Sequence, residues 1–240
     1  MLPSGAAGPT LRPDMCGRYT LADPSRVAEQ MLRDFGVVIA GEAPRYNVAP
    51  SQVVPIIHAN DRGELVSQEM RWGLVPFWDT TEKPKIAPIN VRSEEAFGKP
   101  MFRQCLQQRR ALFPADGFFE WRAAAAGAGK IPYRIGLAEG APFVIAGIYE
   151  TATTIRPAPT CALLTTAPNG LISPIHNRMP VIMEAAVARR WLRPGPISEA
   201  EYAGFCVSYP AGAMVAHPVS TLVNNVRNNG PELIAPWQSG

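Results

Sequence analysis

Proline and glycine interrupt this chain at short, irregular intervals along almost its whole length. There are 25 prolines and 20 glycines in 240 residues, and both residue types favour turns and end regular elements. The chain is therefore divided into short pieces, as in a strand-rich fold with many turns. We predict one α+β domain, rich in antiparallel β-strands that form a barrel-like sheet core, with a few short helices.

Hydrophobic spacing predicts where those elements lie. Residues 24–35 place apolar side chains near helical spacing, with Asp23 or Ser25 as a possible cap, and a second helix is predicted at 184–192, closed by Pro194. Residues 123–130 have the composition of a hairpin loop. Strands are predicted at 53–57, 64–72, 110–113, 133–137, 143–149, 161–165 and 180–183.

Composition indicates a globular cytoplasmic protein. Hydrophobic residues make up 47% of the chain and charged residues 18%, and the net charge of +3 leans weakly towards polyanions. No apolar run approaches the ~20 residues of a membrane span, so we expect no membrane partner. The four cysteines stand far apart without a C-x-x-C pair. That spacing argues against a zinc site and a disulfide framework, and we predict no metal and no cofactor.

The pair Met15–Cys16 is the most reactive feature of the sequence. If translation starts at Met15 and this methionine is removed, or if the chain is cut there, Cys16 carries a free α-amine beside its thiol. Such a 1,2-aminothiol condenses with an aldehyde to an imine, and the thiol then closes a five-membered thiazolidine. An α-amine with a pKa near ~8 is about one-tenth neutral at pH 7, against roughly one part in 2500 for a lysine near ~10.4. The pair therefore predicts capture of an aldehyde.

Two further titratable side chains are candidates for proton transfer. Glu120 lies between bulky aromatic residues, where a carboxylate either has a raised pKa that suits proton transfer or pairs with an arginine. His176 lies in a proline-bounded loop, where catalysis and plain hydrogen bonding are both open. For the other polar candidates we predict a structural His217, a solvated His58 and a turn role for Asp116.

Arginines and aromatic residues form a second pattern. Trp78 follows Phe77 in a proline-bounded loop that could expose an aromatic face. Guanidinium groups on phosphates and aromatic rings on bases are the usual platform for single-stranded nucleic acid. Ordinary ion pairing and core packing are the alternative, which composition alone favours. Five arginines lie inside motif-like segments instead of a charged tail: Arg18, Arg45, Arg71, Arg92 and Arg178.

Taken together, these segments resemble the SOS-response-associated peptidase (SRAP) family, the abasic-site-processing proteins. The resemblance covers almost the whole chain from Met15 to about Pro236, and eight phrases occur in the expected order. The phrases are MCGRY (15–19), RYNVAP (45–50), RWGLVPFW (71–78), INVR (89–92), ADGFFEW (115–121), IHNRMP (175–180), HPVS (217–220) and VNNVRN (223–228).

The resemblance implies a covalent chemistry and the residues that perform it. In this family the cysteine exposed by methionine removal crosslinks to the ring-opened aldehyde of an abasic site in single-stranded DNA, and that cysteine corresponds to Cys16. The asparagine that senses and orients the abasic sugar corresponds to Asn90. The catalytic glutamate corresponds to Glu120, and the histidine to His176. Since an imine intermediate also permits β-elimination, weak strand-cleaving lyase activity is a further expectation.

The resemblance also implies how the partner is bound. We expect single-stranded DNA containing abasic sites as the partner of a monomeric, nucleoid-associated protein of the cytoplasm. Asn47 matches a position in a motif that lines the site. Contacts to phosphates and bases are expected at Arg18, Trp78, Arg92 and Arg178.

The chain departs from the family pattern at its start. Family members begin with methionine followed by the cysteine, whereas fourteen residues precede Met15 here. We therefore expect residues 1–14 to be a disordered leader or a misassigned start, and residues 15–237 to be the SRAP-like domain. Cys16 can be exposed by translation from Met15, by a protease or by self-cleavage.

Two other functions remain open from the sequence. The first is a thiol peptidase that removes the segment before Cys16, with His176 or Glu120 as the base. The second is a non-covalent reader of single-stranded DNA, in which Cys16 only packs.

Overall fold

Two β-sheets and five short helices make up the part of the chain that the computed structural model describes, residues 16–40, 43–81, 83–124 and 129–237. The first sheet has five strands, and all of its pairings are antiparallel. In spatial order they are β13 (Met214–Pro218), β8 (Lys130–Leu137), β7 (Gly117–Ala123), β1 (Tyr19–Leu21) and β2 (Arg45–Val48).

The second sheet has eight strands, five of which close into a ring. The antiparallel pairing of β9 with β10, which follow one another in the chain, closes the ring. In order around the ring, the strands are β3 (Val53–Ala59), β4 (Leu65–Trp72), β10 (Thr160–Thr166), β9 (Phe143–Glu150) and β6 (Arg110–Ala115).

Three short strands complete the second sheet. β5 (Asn90–Arg92) pairs parallel with β10, while β11 (Met179–Pro180) and β12 (Ile182–Met183) pair antiparallel with β10 and β9. Only β4 and β5 make parallel pairs among the described strands, in both cases with β10. The predicted α+β fold with a barrel-like, mostly antiparallel core is confirmed.

The two sheets share a large hydrophobic core, in which three buried aromatic side chains pack together. The ring of Tyr19 on β1 meets Trp72 edge-on with centroids 5.5 Å apart and Phe113 with centroids 6.5 Å apart. Edge-to-face packing of this kind adds about 0.5–1.5 kcal/mol to the burial of each pair. The strand that follows Cys16 is thereby fixed against the ring of the second sheet.

The two predicted helices are confirmed as α1 (Pro24–Phe35) and α4 (Ala185–Trp191). The Asp23 carboxylate accepts a hydrogen bond from the backbone N–H of Arg26 and caps α1, and Gly36 ends it in the left-handed conformation at φ 69°. Three helices and five strands were not predicted, and five of these eight elements have only three to five residues, too short to show a hydrophobic period. The missed helices are α2 (Ser93–Ala96), α3 (Pro100–Gln108) and α5 (Glu199–Phe205), and the missed strands are β1, β2, β5, β7 and β13.

The prediction of a solvated His58 is wrong. His58 is buried, not solvated: its Nε2 lies 3.1 Å from Gln68 Oε1 and its ring packs on Tyr149, because β3 runs between two neighbours in the ring. Asp116 is the single residue between β6 and β7 and lies at a bend, which agrees with the predicted turn role. It is also buried, and its carboxylate accepts hydrogen bonds from the Thr20 hydroxyl and the Asp23 N–H. The carboxylate therefore ties β1 to the start of α1.

Some predictions fall outside the described residues. These are the leader at 1–14, with Met15, and residues 125–128 of the expected hairpin loop. The strands on either side of that loop do pair as a hairpin, up to Ala123 opposite Lys130. None of the helices in the described segments is long and apolar enough to cross a membrane. The described residues also hold no group of three or more His, Cys, Asp or Glu side chains that could hold a metal ion.

Candidate active site around Cys16

Cys16 lies just before β1 and is almost fully buried. Its position follows from the pairing of β1 with β7, in which Tyr19 lies opposite Phe118 and the Phe119 N–H donates to the Arg18 carbonyl at 3.0 Å. Because the strands are antiparallel, one step back along β1 is one step forward along β7. Going from Tyr19 back to Cys16 along one strand therefore corresponds to going from Phe118 forward to Glu120 along the other, which brings Cys16 and Glu120 to the same end of this strand pair.

Asn90 and the loop around His176 complete the surroundings of Cys16. The Asn90 side-chain amide donates a 2.9 Å hydrogen bond to the Cys16 carbonyl. The Cys16 sulfur lies 4.0 Å from the Arg178 carbonyl, a weak S–H···O contact. The Arg178 N–H donates to His176 Nδ1 at 3.1 Å, and the same nitrogen lies 3.7 Å from Glu120 Oε2. The structure thus brings together the four predicted catalytic residues.

Burial raises the pKa of both acidic groups of this cluster, the Glu120 carboxyl and the Cys16 thiol. It raises the pKa of Glu120 from 4.5 to about 8, against smaller opposing effects from hydrogen bonds with Cys16 and Trp121. Burial, reinforced by the neighbouring Glu120, holds the pKa of the Cys16 thiol well above its ordinary value of 9.0. Near neutral pH both groups are therefore mostly protonated, and Glu120 can give or take a proton with little change in pH.

Two buried oxygens of the cluster have no hydrogen-bond partner among the described residues. They are Glu120 Oε1 and Asn90 Oδ1, and the other polar atom of each side chain faces the Cys16 neighbourhood. Leaving a buried acceptor unpaired costs about 1–3 kcal/mol. A ligand with hydroxyl or ammonium donors would satisfy both oxygens.

Arg18 and Asn47 form a second cluster that fixes the carboxyl-terminal part of the chain. The Arg18 guanidinium donates to Asn47 Oδ1 at 2.8 Å and to the Val223 carbonyl at 2.7 Å. The Asn47 amide donates to the carbonyls of Val223, Asn225 and Asn228 at 3.0–3.2 Å. These contacts bring the phrase at 45–50 against the phrase at 223–228, and they use both polar atoms of the Asn47 side chain.

The remaining three predicted DNA contacts lie in different environments. Arg178 is buried and makes a bidentate pair with Glu94, with both N···O distances 2.8 Å, and a 2.5 Å hydrogen bond to the Thr165 carbonyl. Arg92 lies at the surface, with 48% of its side chain exposed and Glu95 at 4.0 Å. Trp78 is 50% exposed and packs edge-on against Phe77.

Comparison with known families decides the identity of this fold. The family model described as "SOS response associated peptidase (SRAP)" matches residues 15–226, most of the chain. The chain belongs to the SRAP family.

Curated SRAP relatives resemble this chain over nearly its whole length. The abasic site processing protein YoqW of Bacillus subtilis is 40% identical over 224 residues, which cover 92% of this chain and 99% of that protein. YedK of Escherichia coli, with the same description, is 35% identical over 234 residues and covers 92% of this chain and 100% of its own. The abasic site processing protein HMCES of Gallus gallus is 30% identical, covering 82% of this chain and 67% of HMCES.

Solved structures show the same SRAP fold. A crystal structure of a protein from Bacteroides thetaiotaomicron superposes with a TM-score of 0.71 at 30% identity, covering 81% of this chain and 86% of that one. Another, from Bordetella bronchiseptica, has a TM-score of 0.70 at 25% identity and covers 85% of this chain and all of its own.

Sequence reasoning missed several residues that support the SRAP site. Glu94 and Thr165 hold the Arg178 side chain, and Trp121 lies under the Arg18 guanidinium, 5.9 Å from its ring centroid. The Trp121 Nε1–H also donates to Asn224 Oδ1 at 2.7 Å. Trp121 lies inside a conspicuous phrase beside Glu120, so a signal existed for it. Glu94 and Thr165 carry no motif, and only the fold reveals their role.

Proposed function

We propose that this protein processes abasic sites in single-stranded DNA by forming a thiazolidine crosslink between Cys16 and the ring-opened aldehyde of the lesion. The observation that supports this proposal most is the convergence of Cys16, Asn90, Glu120 and His176 from four separated segments. The names of the curated relatives, abasic site processing proteins, agree with it. The reaction shields the lesion and needs no cofactor.

The chemistry starts once Cys16 is the first residue. Its neutral α-amine attacks C1′ of the open-chain aldehyde, and loss of one water gives an imine. The Cys16 thiol then adds to the imine carbon, with the sulfur forming the new bond and the thiol proton passing to the nitrogen, and the ring closes. Holding the amine, thiol and aldehyde together contributes up to about 7–11 kcal/mol compared with a bimolecular reaction. The net change is condensation with release of one water molecule.

Each neighbour has a defined task in these steps. Glu120, with a pKa of about 8, donates a proton to the departing oxygen and accepts one from the amine or the thiol. The unpartnered Oδ1 of Asn90 accepts a hydrogen bond from a sugar hydroxyl, while its amide holds the Cys16 backbone. His176 transfers a proton to or from the sugar oxygen and assists reversal of the crosslink.

The strand on either side of the lesion is bound by the second group of residues. Arg18 and the exposed Arg92 contact phosphates, and Trp78 stacks on a base. Asn47 holds the Arg18 guanidinium in place by accepting its hydrogen bond. Arg178 contributes a phosphate contact from beside Glu94. We propose that the protein acts in this way as a monomer in the cytoplasm, close to the nucleoid.

The test uses protein whose first residue is Cys16, verified by intact mass. The protein is incubated with a single-stranded oligonucleotide that contains one abasic site, and the products are separated on a denaturing gel. We expect a shifted band that disappears with Cys16→Ala and with an abasic site reduced by borohydride, which has no aldehyde. Cys206→Ala, which alters a half-buried thiol elsewhere, is the matched control and should crosslink normally. A band that persists in Cys16→Ala would refute the proposal.

A thiol autopeptidase is the second candidate, since the Cys16 thiol lies beside Glu120, a group poised to transfer a proton near neutral pH. In this function Cys16 attacks the carbonyl of the peptide bond that precedes it, and water then releases the leader. Full-length protein made with Glu120→Gln should keep residues 1–15, whereas the unaltered chain loses them. If both forms keep the leader in purified form, self-cleavage is excluded.

The same gel separates both candidates from a non-covalent reader of single-stranded DNA. A reader would bind the oligonucleotide in a salt-sensitive manner and leave no covalent product.

A further inference from the structure

A cleft with a volume of about 790 Å³ opens beside the candidate active site. Among the residues that line it are Gly73, Val75 and the segment 83–89, together with the segment 155–158. Four cations are among the described residues that line the cleft, and no Asp or Glu is among those residues. The cations are Arg71, Lys83, Lys85 and Arg156.

Both lysines are available for an anionic ligand. Lys83 and Lys85 are exposed, and no ion pair joins either of them to a carboxylate within the described segments. Arg156 instead braces the cleft, because its guanidinium lies 3.3 Å from the Thr81 carbonyl and 3.5 Å from the Pro76 carbonyl. The Asp79 carboxylate lies close by, where it accepts a hydrogen bond from the Lys85 backbone N–H and attracts Arg156. The positive charge offered to a ligand is therefore mainly that of the two lysine side chains.

The rim of the cleft is apolar. Ile86 is 56% exposed and Ile155 is 46% exposed, and both line the cleft. Large apolar side chains grouped at one exposed place mark binding surfaces more often than isolated ones do. A ligand that fits has negative charge and flat or apolar parts in alternation.

The position of the cleft relates it to Cys16. Ile89 lines the cleft, and its carbonyl accepts a 2.8 Å hydrogen bond from Trp72 Nε1. The next residue, Asn90, holds the Cys16 carbonyl. Ile89 at the cleft and Asn90 at Cys16 are thus neighbours in the chain. The loop that lines the cleft also carries the half-exposed Phe77 and Trp78.

We propose that this cleft binds the single strand that flanks the lesion, with phosphates on Lys83 and Lys85 and bases against Ile86 and Ile155. An acidic peptide with apolar side chains would match the same charges. The single strand fits better because the cleft adjoins the residue that holds Cys16, and because the exposed aromatic pair of the same loop offers stacking faces. The inference extends the proposed function, yet binding of undamaged strands tests it separately.

The experiment compares the unaltered protein with three variants, and all four chains begin at Cys16. The first carries Lys83→Glu with Lys85→Glu. The second is a matched control, Arg33→Glu with Arg62→Glu, which makes the same change of net charge at two exposed positions away from the cleft. The third, Ala158→Trp, narrows the cleft at an exposed lining residue without a change of charge. Binding of an undamaged single strand is measured by fluorescence anisotropy over a range of salt concentrations, and crosslinking is measured with long and very short abasic oligonucleotides.

We expect the lysine variant to bind the long strand roughly tenfold more weakly than the arginine control, with a salt slope reduced by about 1.4, since each phosphate contact on a single strand contributes ~0.7. Ala158→Trp should weaken long-strand binding while it keeps the salt slope. Crosslinking to the short oligonucleotide should be unchanged in all three proteins.

The outcomes separate this inference from the proposed function. If the lysine variant and the arginine control bind the long strand equally, the cleft is not a DNA site, even when every protein crosslinks. The same conclusion follows if an acidic apolar peptide binds the cleft and a single strand does not displace it. If no protein crosslinks but the lysine variant alone loses binding to undamaged strands, the cleft assignment stands and the covalent function falls.

Discussion

Glu120 makes the stability of the folded protein depend on pH in an unusual direction. Burial raises its pKa from 4.5 to about 8, so between these values the folded protein binds more protons than the unfolded chain. The free energy of unfolding therefore falls as the pH rises through this window. The two pKa values differ by about 3.5, so the free energy of unfolding falls by roughly 5 kcal/mol over the whole window. Roughly 3 kcal/mol of this loss is complete by pH 7.

Glu120→Gln removes this titration with almost no change in shape. We expect the variant to gain stability relative to the unaltered protein as the pH rises from about 4.5 to 8, by several kcal/mol at the upper end. Urea unfolding at a series of pH values measures the difference between the two proteins, in which the contributions of all other titrating groups largely cancel. The exposed Glu69→Gln on β4 is the matched control and should follow the unaltered protein.

The result that refutes this reasoning is a constant difference between Glu120→Gln and the unaltered protein over the whole pH range. A constant difference would show that the pKa of Glu120 is the same in the folded protein as in the unfolded chain. Glu120 would then be ionised near neutral pH, and its role as a proton donor there would fall. The variant should also crosslink slowly despite its higher stability, because the amide cannot transfer a proton. Glu120 thus lowers the stability of the folded protein near neutral pH and at the same time provides the proton transfer that the reaction needs.

Three further predictions follow from other contacts of the site. Asn90→Ala removes the 2.9 Å hydrogen bond to the Cys16 carbonyl and should lower the crosslinking rate about 10²-fold in single-turnover kinetics, since misplaced reacting groups lose that much; a rate within a factor of two would contradict it. Asn47→Ala removes an amide that donates to three carbonyls of the 223–228 segment, of which those of Val223 and Asn225 keep another donor. The variant should be destabilised by about 1–3 kcal/mol, with faster hydrogen exchange confined to that segment. Hydrogen bonding with Arg178 lowers the pKa of Glu94, so this pair adds stability above pH 4.5 that is lost as the pH falls, and Glu94→Gln should unfold with a weaker acid dependence than the unaltered protein.

Much of the fold was readable from local sequence. The helix at 24–35 was predictable because its apolar spacing, Asp23 cap and Gly36 terminator agree with one another. Strands β9 and β10 were predictable because each buries a continuous run of mostly apolar residues. Length alone was not enough, since β7 has seven residues and was missed. Strands of three residues such as β1 and β5 were missed, since a segment of that length shows no period.

The reactive residue types were also evident from the sequence, since an aminothiol next to a possible start and a carboxylate among aromatics each have a recognisable chemistry. What the sequence could not show is how far burial alters Glu120, because that depends on side chains distant in the chain. The same holds for His58 and Asp116, whose burial follows from neighbouring strands and not from neighbouring residues.

Local spacing and composition thus determined the element types, the α+β class and the set of reactive groups. Tertiary structure alone decided that Cys16, Asn90, Glu120 and His176 meet, that Arg178 turns inward to Glu94, and that a cationic cleft opens beside Asn90. The physical reason is that these contacts join positions that are 56 residues apart, for Glu120 and His176, to 162 residues apart, for Cys16 and Arg178. Strand pairing and burial across the whole domain create them, and no local pattern encodes them.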